Sequence, residues 1–526
     1  MKLDWDMILQ NQNNNLADFL VYRHAHQGYG EHEALIYQDK IYSYGEVASL
    51  VSKAANYFTQ IGIKKDDKVM LVIPDTPAFV IAFFATLACG AVAVLANPLL
   101  TVDELEYMTT HTDAKLIIAD HAVIEKIQTL QRTYPQIKVL YTGDFTNKFE
   151  FENKIESMSE NYQILHRNSN NLAYVLFSSG TTGKPKAIPR RHRDILHCAY
   201  SFAHDVLDMS AEDRIIAVPK LTFGYALGGG LLFGFIAGAA VILFKERTST
   251  QLLTELLGKF KPTVFLGTPR IIAEILKNGY QDVLSSVRIA TSAGESLPES
   301  VLKLWQDNIS APLLDGFGST EVGHIFLSNK PNLIKSGTSG QCLKGFQIKI
   351  IDESGEELQD GQYGRLCIAG PSVADKYLND KERSALAFVD GWHISNDLFL
   401  LKDGYATYIG RSDDMIKKGC GEWISPYEIE NEILSHNSVL ECVVIGQKSS
   451  SEAITLKAIV VCKDGVVISS ALEDEIRKRV QLRWLEFPHK HIDEISFTDA
   501  LPRNSSGKIQ RHLLNQKTLT EYSYDC

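Results

Sequence analysis

The most constraining stretch of the sequence is a glycine- and hydroxyl-rich segment, residues 177–187. It follows an apolar run, residues 174–177, that is typical of a buried strand. Glycines let backbone N–H groups turn toward an anion, hydroxyls add donors and lysines add positive charge. The pattern predicts a phosphate-binding loop that contains Ser178, Ser179, Gly180, Thr181, Thr182, Gly183, Lys184 and Lys186. A Ser/Gly-rich surface linker is the alternative. The P-loop NTPase pattern does not fit, because no Gly-Lys-Ser/Thr tripeptide opens a helix here.

Composition and charge narrow the classes of protein to which this loop can belong. With 526 residues, the chain is long enough for two to four folding units. Its net charge of −11 argues against a nucleic-acid partner. Eight cysteines occur without a C-x-x-C pair or regular spacing, so neither a zinc site nor a disulfide framework is indicated. We therefore expect a reduced, cytoplasmic setting.

Two uncharged stretches, residues 78–97 and 221–244, are long enough to span a membrane. The first resembles a helix that turns into a buried strand after Gly90, and the second contains six glycines. Asp4 and Asp6 occupy the positions where a secretory signal would be basic. We interpret both stretches as interior segments of the fold and expect no membrane partner.

Short apolar strands alternate with helical patterns along most of the chain, which predicts an α/β fold. From the N-terminus to about residue 277, this alternation favours mostly parallel sheets wrapped by helices. Residues 144–170 are polar and are expected to form a connector. Beyond Gly340, short strands separated by turns predict a small, more antiparallel β unit. The last hundred or so residues return to mixed strands and helices, which predicts a small α+β C-terminal domain.

A second candidate site is the segment Asp315-Gly316-Phe317-Gly318-Ser319-Thr320-Glu321. Its two glycines allow close approach of the backbone to a ligand, and Phe317 offers a face on which a base can stack. Glu321 is a suitable ligand for a hard cation. The alternative is a glycine turn followed by a helix cap of the Ser/Thr-x-Glu type.

Together these motifs resemble those of the adenylate-forming superfamily, which comprises acyl- and aryl-CoA ligases, peptide-synthetase adenylation domains and luciferases. The resemblance continues in order along the chain, in segments 292–298, 392–397, 410–414, 419–423 and 501–511. Segment 501–511 has the spacing Pro-x-x-x-x-Gly-Lys-x-x-Arg, which matches the catalytic-lysine motif of that family. Two departures are that Asn396 replaces an expected glycine and that segment 419–423 is one residue longer than usual.

The resemblance implies a role for each matching residue. Catalytic residues would be Lys508, Thr320 and Glu321, with Glu321 also holding Mg²⁺. Besides the loop residues, ATP or AMP would contact Gly294, Glu295, Asp315, Phe317, Gly318, Thr320, Asp397 and Arg411. Gly419 and Gly421 would border the CoA tunnel, and Asp413 would be the hinge. The implied domains are residues 1–411, which bind ATP and the carboxylic acid, and residues 412–526, a mobile domain that carries the lysine.

Several segments look specifically like benzoate- and aryl-CoA ligases. That likeness implies an acid-binding pocket lined by Gly224, Tyr225, Ala293, Gly294 and His324. A histidine on an apolar run would otherwise be expected in a packed core. No Asp or Glu occurs from residue 214 to residue 245, so a substrate ammonium would lack a partner there. An aryl acid is the favoured substrate, and a medium-chain fatty acid is the alternative.

The implied reaction has two halves and uses ATP, Mg²⁺ and coenzyme A. The carboxylate first attacks the α-phosphorus of ATP, giving an acyl-AMP and pyrophosphate; the C-terminal domain then rotates, and a thiol replaces AMP. A separate acyl carrier protein is the alternative thiol donor. A luciferase-like oxygenase and a non-catalytic adenylate-binding protein are further alternatives, and a homodimer is one option for assembly.

Overall fold

The computed structural model describes residues 3–13, 15–145, 149–178, 184–418, 423–448, 454–463, 465–503 and 509–514. In these ranges no helix has both the length and the apolar character needed to cross a membrane.

The first sheet has six strands, and all its neighbouring pairs are parallel except the last. Its strands are β3 Lys68–Val72, β4 Val92–Leu95, β5 Ala114–Asp120, β6 Lys138–Thr142, β7 Leu172–Ser178 and β8 Lys186–Arg191. The two strands that precede them in the chain, β1 Glu33–Tyr37 and β2 Lys40–Ser43, belong to the second sheet. The order is β6-β5-β3-β4-β7-β8, and β8 runs antiparallel to β7. The candidate phosphate-binding loop therefore connects the two strands of a hairpin.

The second sheet has nine strands and carries most of the other candidate residues. Its strands after β1 and β2 are β9 Arg214–Ala217, β10 Ala240–Leu243, β11 Val264–Gly267, β12 Ile289–Ser292, β13 Leu313–Gly318, β14 Ile325–Ser328 and β15 Gln341–Cys342. The order is β15-β14-β13-β12-β11-β9-β10-β1-β2. Along this order, the neighbouring pairs between β13 and β1 are all parallel. The pairs at the two edges, β15-β14, β14-β13 and β1-β2, are antiparallel. These two sheets confirm the predicted α/β class.

Helices cover the sheets. The α-helices are α1 Trp5–Gln10, α2 Arg23–His26, α3 Tyr44–Gln60, α4 Pro77–Ala88, α5 Val102–Thr112, α6 Ile124–Thr133, α7 Glu150–Glu156, α8 Asp194–Cys198, α9 Phe233–Ala237, α10 Thr250–Phe260, α11 Pro269–Lys277, α12 Glu299–Asn308, α13 Lys381–Ala387, α14 Pro426–Leu434, α15 Ser470–Arg483 and α16 Arg511–Leu514. π-helical turns span Asp18–Tyr22, Ala199–His204 and Ala226–Leu232, and 3₁₀ turns span His121–Val123, Gln281–Leu284 and Pro488–Lys490. Ser43 and Glu46 form the predicted capping box at the start of α3.

Both long uncharged stretches lie inside the protein, as predicted. Every residue of α4 is buried, and β4 follows it within the first sheet. The second stretch forms the π-helical turn at 226–232, then α9 and β10, all closely packed in the interior. The main apolar core includes residues from both sheets and from α4. A helix that is apolar on all sides is expected in such a core.

Residues 144–170 are not only a connector, because they contain α7. Phe151 and Ile155 of this helix are buried in the main core. Glu152 is also buried, and its carboxylate accepts hydrogen bonds from the backbone N–H groups of Gly143 and Phe149. The tertiary burial of one apolar face therefore stabilises a helix in a segment whose composition is polar.

The remaining strands form smaller units. They are β16 Gln347–Ile351, β17 Tyr363–Ala369, β18 Phe388–Val389, β19 Trp392–Lys402, β20 Tyr405–Arg411, β21 Ile416–Lys417, β22 Trp423–Ile424, β23 Val439–Lys448, β24 Ile454–Cys462 and β25 Glu494–Phe497. Strands β16 to β20 form the predicted antiparallel unit. Strands β23 to β25 pack with α14 and α15 around a separate apolar core. The domain boundary between residues 411 and 412 remains a prediction.

Candidate active site

The candidate site lies at the carboxyl ends of parallel strands β11, β12 and β13. Gly267 pairs with Ser292, and Ser292 pairs with Asp315, so the segments that follow these residues begin side by side. Ligands of open α/β sheets typically bind at this edge. The register therefore brings together the 292–298 and 315–321 segments, whose paired first residues are 23 positions apart in sequence.

The 292–298 segment turns sharply at Gly294, which has a φ of +90°. A Cβ atom at this position would have no heavy atom within 4 Å, so the positive φ is what favours glycine there. The backbone N–H of Leu297 donates to the carboxyl group of Asp315, which ties the two segments together. Burial raises the pKa of Asp315 to about 8, so this carboxyl is mostly protonated at neutral pH.

Segment 315–321 begins as strand and not as a turn. Residues 315–318 belong to β13, which continues into an antiparallel pairing with β14. Phe317 stacks on Tyr408 at 5.9 Å between ring centroids and contacts Phe326 and Phe399 edge-on. The helix of the alternative interpretation does not form, because residues 319–324 are a turn that leads into β14.

Glu321 lies in a buried charged cluster. Its carboxylate accepts a hydrogen bond from the Tyr377 hydroxyl at 3.0 Å, and that hydroxyl accepts one from Lys186 Nζ at 3.4 Å. Burial alone would raise the pKa of Glu321, but His393 and Lys186, together with the Tyr377 hydrogen bond, hold it below its usual value. The cluster therefore presents an ionised carboxylate beside a lysine from the predicted phosphate-binding loop.

Arg190 fixes the turn that carries Thr320 and Glu321. Its fully buried guanidinium donates to the carbonyl oxygens of Thr320, Glu321 and Val322 at 3.0 to 3.3 Å. Burial would lower the pKa of Arg190, but Asp194, at 3.3 Å, holds it above its usual value. A planar guanidinium with five donors is suited to binding several carbonyls at once.

Asp397 and Arg411 are brought together by the pairing of β19 with β20. They are directly opposed in the register, and Arg411 Nη1 lies 3.5 Å from Asp397 Oδ1. Arg411 Nε also donates to Asp413 Oδ1 at 2.9 Å. The two residues expected to bind ribose are therefore neighbours, and they lie next to the predicted hinge residue.

The ends of the predicted phosphate-binding loop are held by the β7–β8 hairpin. Ser178 pairs with Lys186, and the carbonyl of Lys184 accepts a hydrogen bond from Arg383 at 3.0 Å. The ammonium of Lys184 lies 5.2 Å from the centre of the Tyr107 ring. Residues Ser179, Gly180, Thr181, Thr182 and Gly183 lie outside the described residues, so their predicted role is not tested.

Among the predicted acid-binding residues, His324 is buried and contacts Tyr225. Tyr225 follows Gly224, and its hydroxyl hydrogen-bonds Thr291 Oγ1 at 2.6 Å, while Ala293 is buried beside β12. The carbonyl of Tyr225 lies 3.2 Å from His324 Nε2, so that nitrogen carries the proton. Burial lowers the pKa of His324 to about 4, so its ring is neutral at pH 7. A Cβ at Gly228 would lie 2.5 Å from the His324 ring, which explains the glycine there.

The small-domain residues of the prediction fall largely outside the described part of the chain. Lys508, Gly419 and Gly421 are among the undescribed residues. The described residues that flank them are paired. Strand β21, before residue 419, pairs with β22, after residue 422, and Arg503 pairs with Ile509 on the other side of Lys508. Arg503 also forms an ion pair with Glu295, a predicted ATP contact, at 3.3 Å.

Sequence reasoning missed Arg190, Tyr377 and His393 as parts of the site. Arg190 had one signal, since it is a charged residue at the end of a buried strand. Tyr377 lies in a loop without a motif and reaches Glu321 only through the tertiary fold. His393 belongs to the recognised 392–397 segment, but only the structure shows its electrostatic effect on Glu321.

Comparison with known proteins identifies the family of this chain. Residues 22–378 match the AMP-binding enzyme family, and residues 428–508 match the AMP-binding enzyme C-terminal domain. A benzoate–CoA ligase from Thauera aromatica is 34% identical over 505 residues, covering 95% of each chain. A solved anthranilate CoA ligase, AuaEII, in complex with anthranoyl-AMP, has a TM-score of 0.91 at 29% identity and covers 98% of each chain.

A benzoate CoA ligase from Burkholderia xenovorans LB400 has a TM-score of 0.88 at 32% identity, covering 95% of this chain and 100% of the other. The fold and site define an adenylate-forming enzyme, as the sequence predicted. The chain belongs to the AMP-binding enzyme family.

Proposed function

We propose that the protein joins an aryl carboxylic acid to coenzyme A in an ATP-dependent reaction that releases AMP and pyrophosphate. Its similarity to benzoate–CoA and anthranilate–CoA ligases over nearly the whole chain supports this class of reaction. The acid would be benzoate or a benzoate that carries a small substituent.

The observation that carries the choice of an aryl acid is the neutral, aromatic character of the side chains around Tyr225. Its neighbour His324 is uncharged at neutral pH and lies among the rings of Phe202, Tyr225 and Phe233. Asp315, which interacts electrostatically with Tyr225, is itself mostly protonated. A substrate ammonium would therefore lack a charged partner here, whereas a flat apolar ring is compatible with these walls.

In the first half-reaction, a carboxylate oxygen attacks the α-phosphorus of ATP, and pyrophosphate leaves. Both reactants are negative, so the site must offset their repulsion and the charge that develops on the phosphoryl group. Lys184 and Lys186 lie at the described end of the loop, where they can neutralise the phosphates. Thr320 and Lys508 would add a hydroxyl donor and a mobile positive charge.

Magnesium is a proposed cofactor, and Glu321 is its proposed protein ligand. The described residues contain no group of three His, Cys, Asp or Glu side chains arranged to hold a metal ion. A single ionised carboxylate nevertheless fits Mg²⁺, which commonly uses one or two carboxylates together with substrate phosphates. Glu321 meets this need because its pKa is lowered and the Tyr377 hydroxyl orients it. When bound, the ion would neutralise phosphate charge.

In the second half-reaction, the CoA thiolate attacks the carbonyl carbon of the acyl-AMP, and AMP leaves with the bridging oxygen. Rotation of residues 412–526 about Asp413 would withdraw Lys508 and bring Gly419 and Gly421 to the thiol path. Such a movement keeps water away from a hydrolysable intermediate between the two steps. A separate acyl carrier protein remains the alternative acceptor. The cytoplasmic location and the homodimer remain predictions.

The proposal is tested by incubating the protein with ATP, Mg²⁺ and CoA and a panel of acids. The panel contains benzoate, hydroxy- and aminobenzoates, cinnamates and C6 to C10 fatty acids, and mass spectrometry identifies each product. We expect AMP release and a CoA thioester with one or more aryl acids. Preference for fatty acids would contradict the aryl assignment. Acyl-AMP without a thioester would favour a carrier-protein acceptor, and the absence of AMP with every acid would contradict the ligase assignment.

A further inference from the structure

A chain of ion pairs crosses from the large sheets to the C-terminal part of the protein. Arg270, at the start of α11, lies 3.5 Å from Glu441 of β23. Glu441 lies 2.9 Å from Arg503, and Arg503 lies 3.3 Å from Glu295. The four side chains therefore alternate between positive and negative charge. Arg270 and Glu295 precede the predicted domain boundary, whereas Glu441 and Arg503 follow it.

Glu441 is the centre of this chain. Its side chain is only 11% exposed, and it forms ion pairs with two arginines that belong to different predicted domains. Removing one partner from a largely buried ion pair leaves a poorly solvated charge, so such pairs resist separation. Arg270 is also paired with Glu274 at 2.8 Å, so it keeps one partner if Glu441 moves away. The interface can therefore open without leaving Arg270 unpaired.

Arg503 connects this chain to the segment that contains Lys508. It forms an antiparallel bridge with Ile509, and Gln510 N–H donates to the carbonyl of Pro502 at 2.8 Å. These contacts bring together the residues on either side of segment 504–508, and we call residues 502–503 and 509–510 the base of the Lys508 segment. The ion pair between Arg503 and Glu295 places that base next to the 292–298 segment, one wall of the candidate ATP site.

A second contact supports the same relative placement of the two parts. Lys277, at the end of α11, donates to the carbonyl of Val439, the first residue of β23, at 3.3 Å. Helix α11 therefore contacts β23 both through Arg270, at its beginning, and through Lys277, at its end. Strand β23 is held against the large domain by polar contacts.

We propose that Arg503 is a positioning residue for the first half-reaction, because it docks the base of the Lys508 segment on Glu295 and, through Glu441, on Arg270. This proposal rests on the proposed function. The contacts Arg503–Glu295 and Arg270–Glu441 join different domains and must break when the C-terminal domain rotates. The contact between Arg503 and Glu441 lies within that domain and is retained. The network therefore stabilises the adenylate-forming orientation and contributes nothing to thioester formation.

The test measures the two half-reactions separately in the full-length protein. Adenylation is followed by acid-dependent exchange of labelled pyrophosphate into ATP, and thioester formation is followed from chemically prepared acyl-AMP and CoA. For Arg503→Gln we expect adenylation to fall about tenfold or more, the scale for loss of a partly buried charge pair, while thioester formation stays unchanged or rises. Arg503→Lys keeps the charge and should recover part of the loss.

Two further variants separate docking from folding. Arg270→Gln removes the contact with Glu441 across the predicted domain boundary, together with the pair with Glu274 inside α11. It leaves the contact between Arg503 and Glu295 in place, so it should lower adenylation less than Arg503→Gln and leave thioester formation unchanged. Arg479→Gln is the matched control, because Arg479 pairs with Glu432 inside the C-terminal domain at 2.9 Å. Both half-reactions should be unaffected in that control.

Salt dependence gives a readout that a purely structural role would not change. Adenylation by the wild-type protein should weaken with added salt more steeply than adenylation by Arg503→Gln, because screening acts on the ion pairs that the variant lacks. Equal loss of both half-reactions, or unchanged adenylation, in Arg503→Gln would overturn the positioning role. Absence of acyl-AMP formation by the wild-type protein would instead contradict the proposed function.

Discussion

Arg190 and Arg503 each bind several groups at once, but they act in different parts of the molecule. Arg190 is fully buried and donates to the carbonyls of the turn that carries Glu321. Arg503 forms ion pairs with Glu295 and Glu441, which lie on opposite sides of the predicted domain boundary. The first arrangement holds a turn within one part of the fold, whereas the second joins residues that would separate in the proposed rotation. In the proposed function, the large domain would provide a preformed centre, and the small domain would supply charge in one orientation only.

The largest expected effect on activity is that of Lys508→Ala. Loss of one charge that stabilises the reacting phosphoryl group should lower adenylation by about a thousandfold. Thioester formation from supplied acyl-AMP should remain largely intact, because the lysine is withdrawn in that step. Separate assays of the two half-reactions check this, with Lys478→Ala, at an exposed position of α15, as the control. Equal loss in both steps would remove Lys508 from its assigned role.

Arg190→Met should damage the preformed centre itself. The change leaves the buried carbonyls without their donor and removes one of the two arginines that pair with Asp194, the other being Arg191. This loss costs about 3 kcal/mol or more of unfolding free energy. Both half-reactions should decline together, unlike the result for Arg503→Gln. Urea denaturation followed by fluorescence measures the loss, and Arg132→Met, at an exposed position of α6, is the control. A variant as stable as the wild type would contradict the role of Arg190.

A smaller effect is expected for Tyr377→Phe, which removes the hydroxyl between Glu321 and Lys186. Adenylation should fall about tenfold, because a hydrogen bond to a charged group is worth about 1.5 kcal/mol or more. The concentration of Mg²⁺ required for half-maximal rate should also rise. The exposed Tyr363→Phe is the matched control. Unchanged rate and magnesium dependence would show that Tyr377 does not orient Glu321.

The smallest effect on activity is expected for Asp315→Asn, which preserves the shape of the side chain. Burial raises the pKa of Asp315 from 3.8 to about 8, so the folded state keeps a proton that the unfolded state releases. The free energy of unfolding should therefore fall as pH rises between these values, by at most about 1.4 kcal/mol per pH unit. The variant should lack this contribution. Identical pH profiles of stability for both proteins would contradict the raised pKa.

The sequence predicted those parts of the site that depend on local pattern. The strand that precedes the 292–298 segment and the interior position of α4 were both accessible, because hydrophobic periodicity encodes them. The family resemblance implied that Asp397 and Arg411 both contact ribose, and the structure adds that the two residues are paired across β19 and β20. The family and the fold class followed from the same motifs and are confirmed.

The contacts that complete the centre could not be predicted in this way. Tyr377 lies more than fifty residues from Glu321 in sequence, and no short motif relates the two positions. The ion pairs of Glu441 depend on how two separate units pack against each other. Helix α7 likewise forms because the core buries Phe151 and Ile155, although its sequence is polar overall. Each of these features is tertiary in origin, so local propensity carries little information about it.

The central claim, that an acyl-adenylate lies between the acid and its thioester, is tested most directly by isotope transfer. Benzoate, or the preferred acid from the panel, is labelled with ¹⁸O in both carboxylate oxygens and converted to its CoA thioester with ATP. The account predicts one ¹⁸O atom in the released AMP, because the bridging oxygen leaves with the phosphoryl group. Label in inorganic phosphate with formation of ADP, or AMP without label, would contradict it.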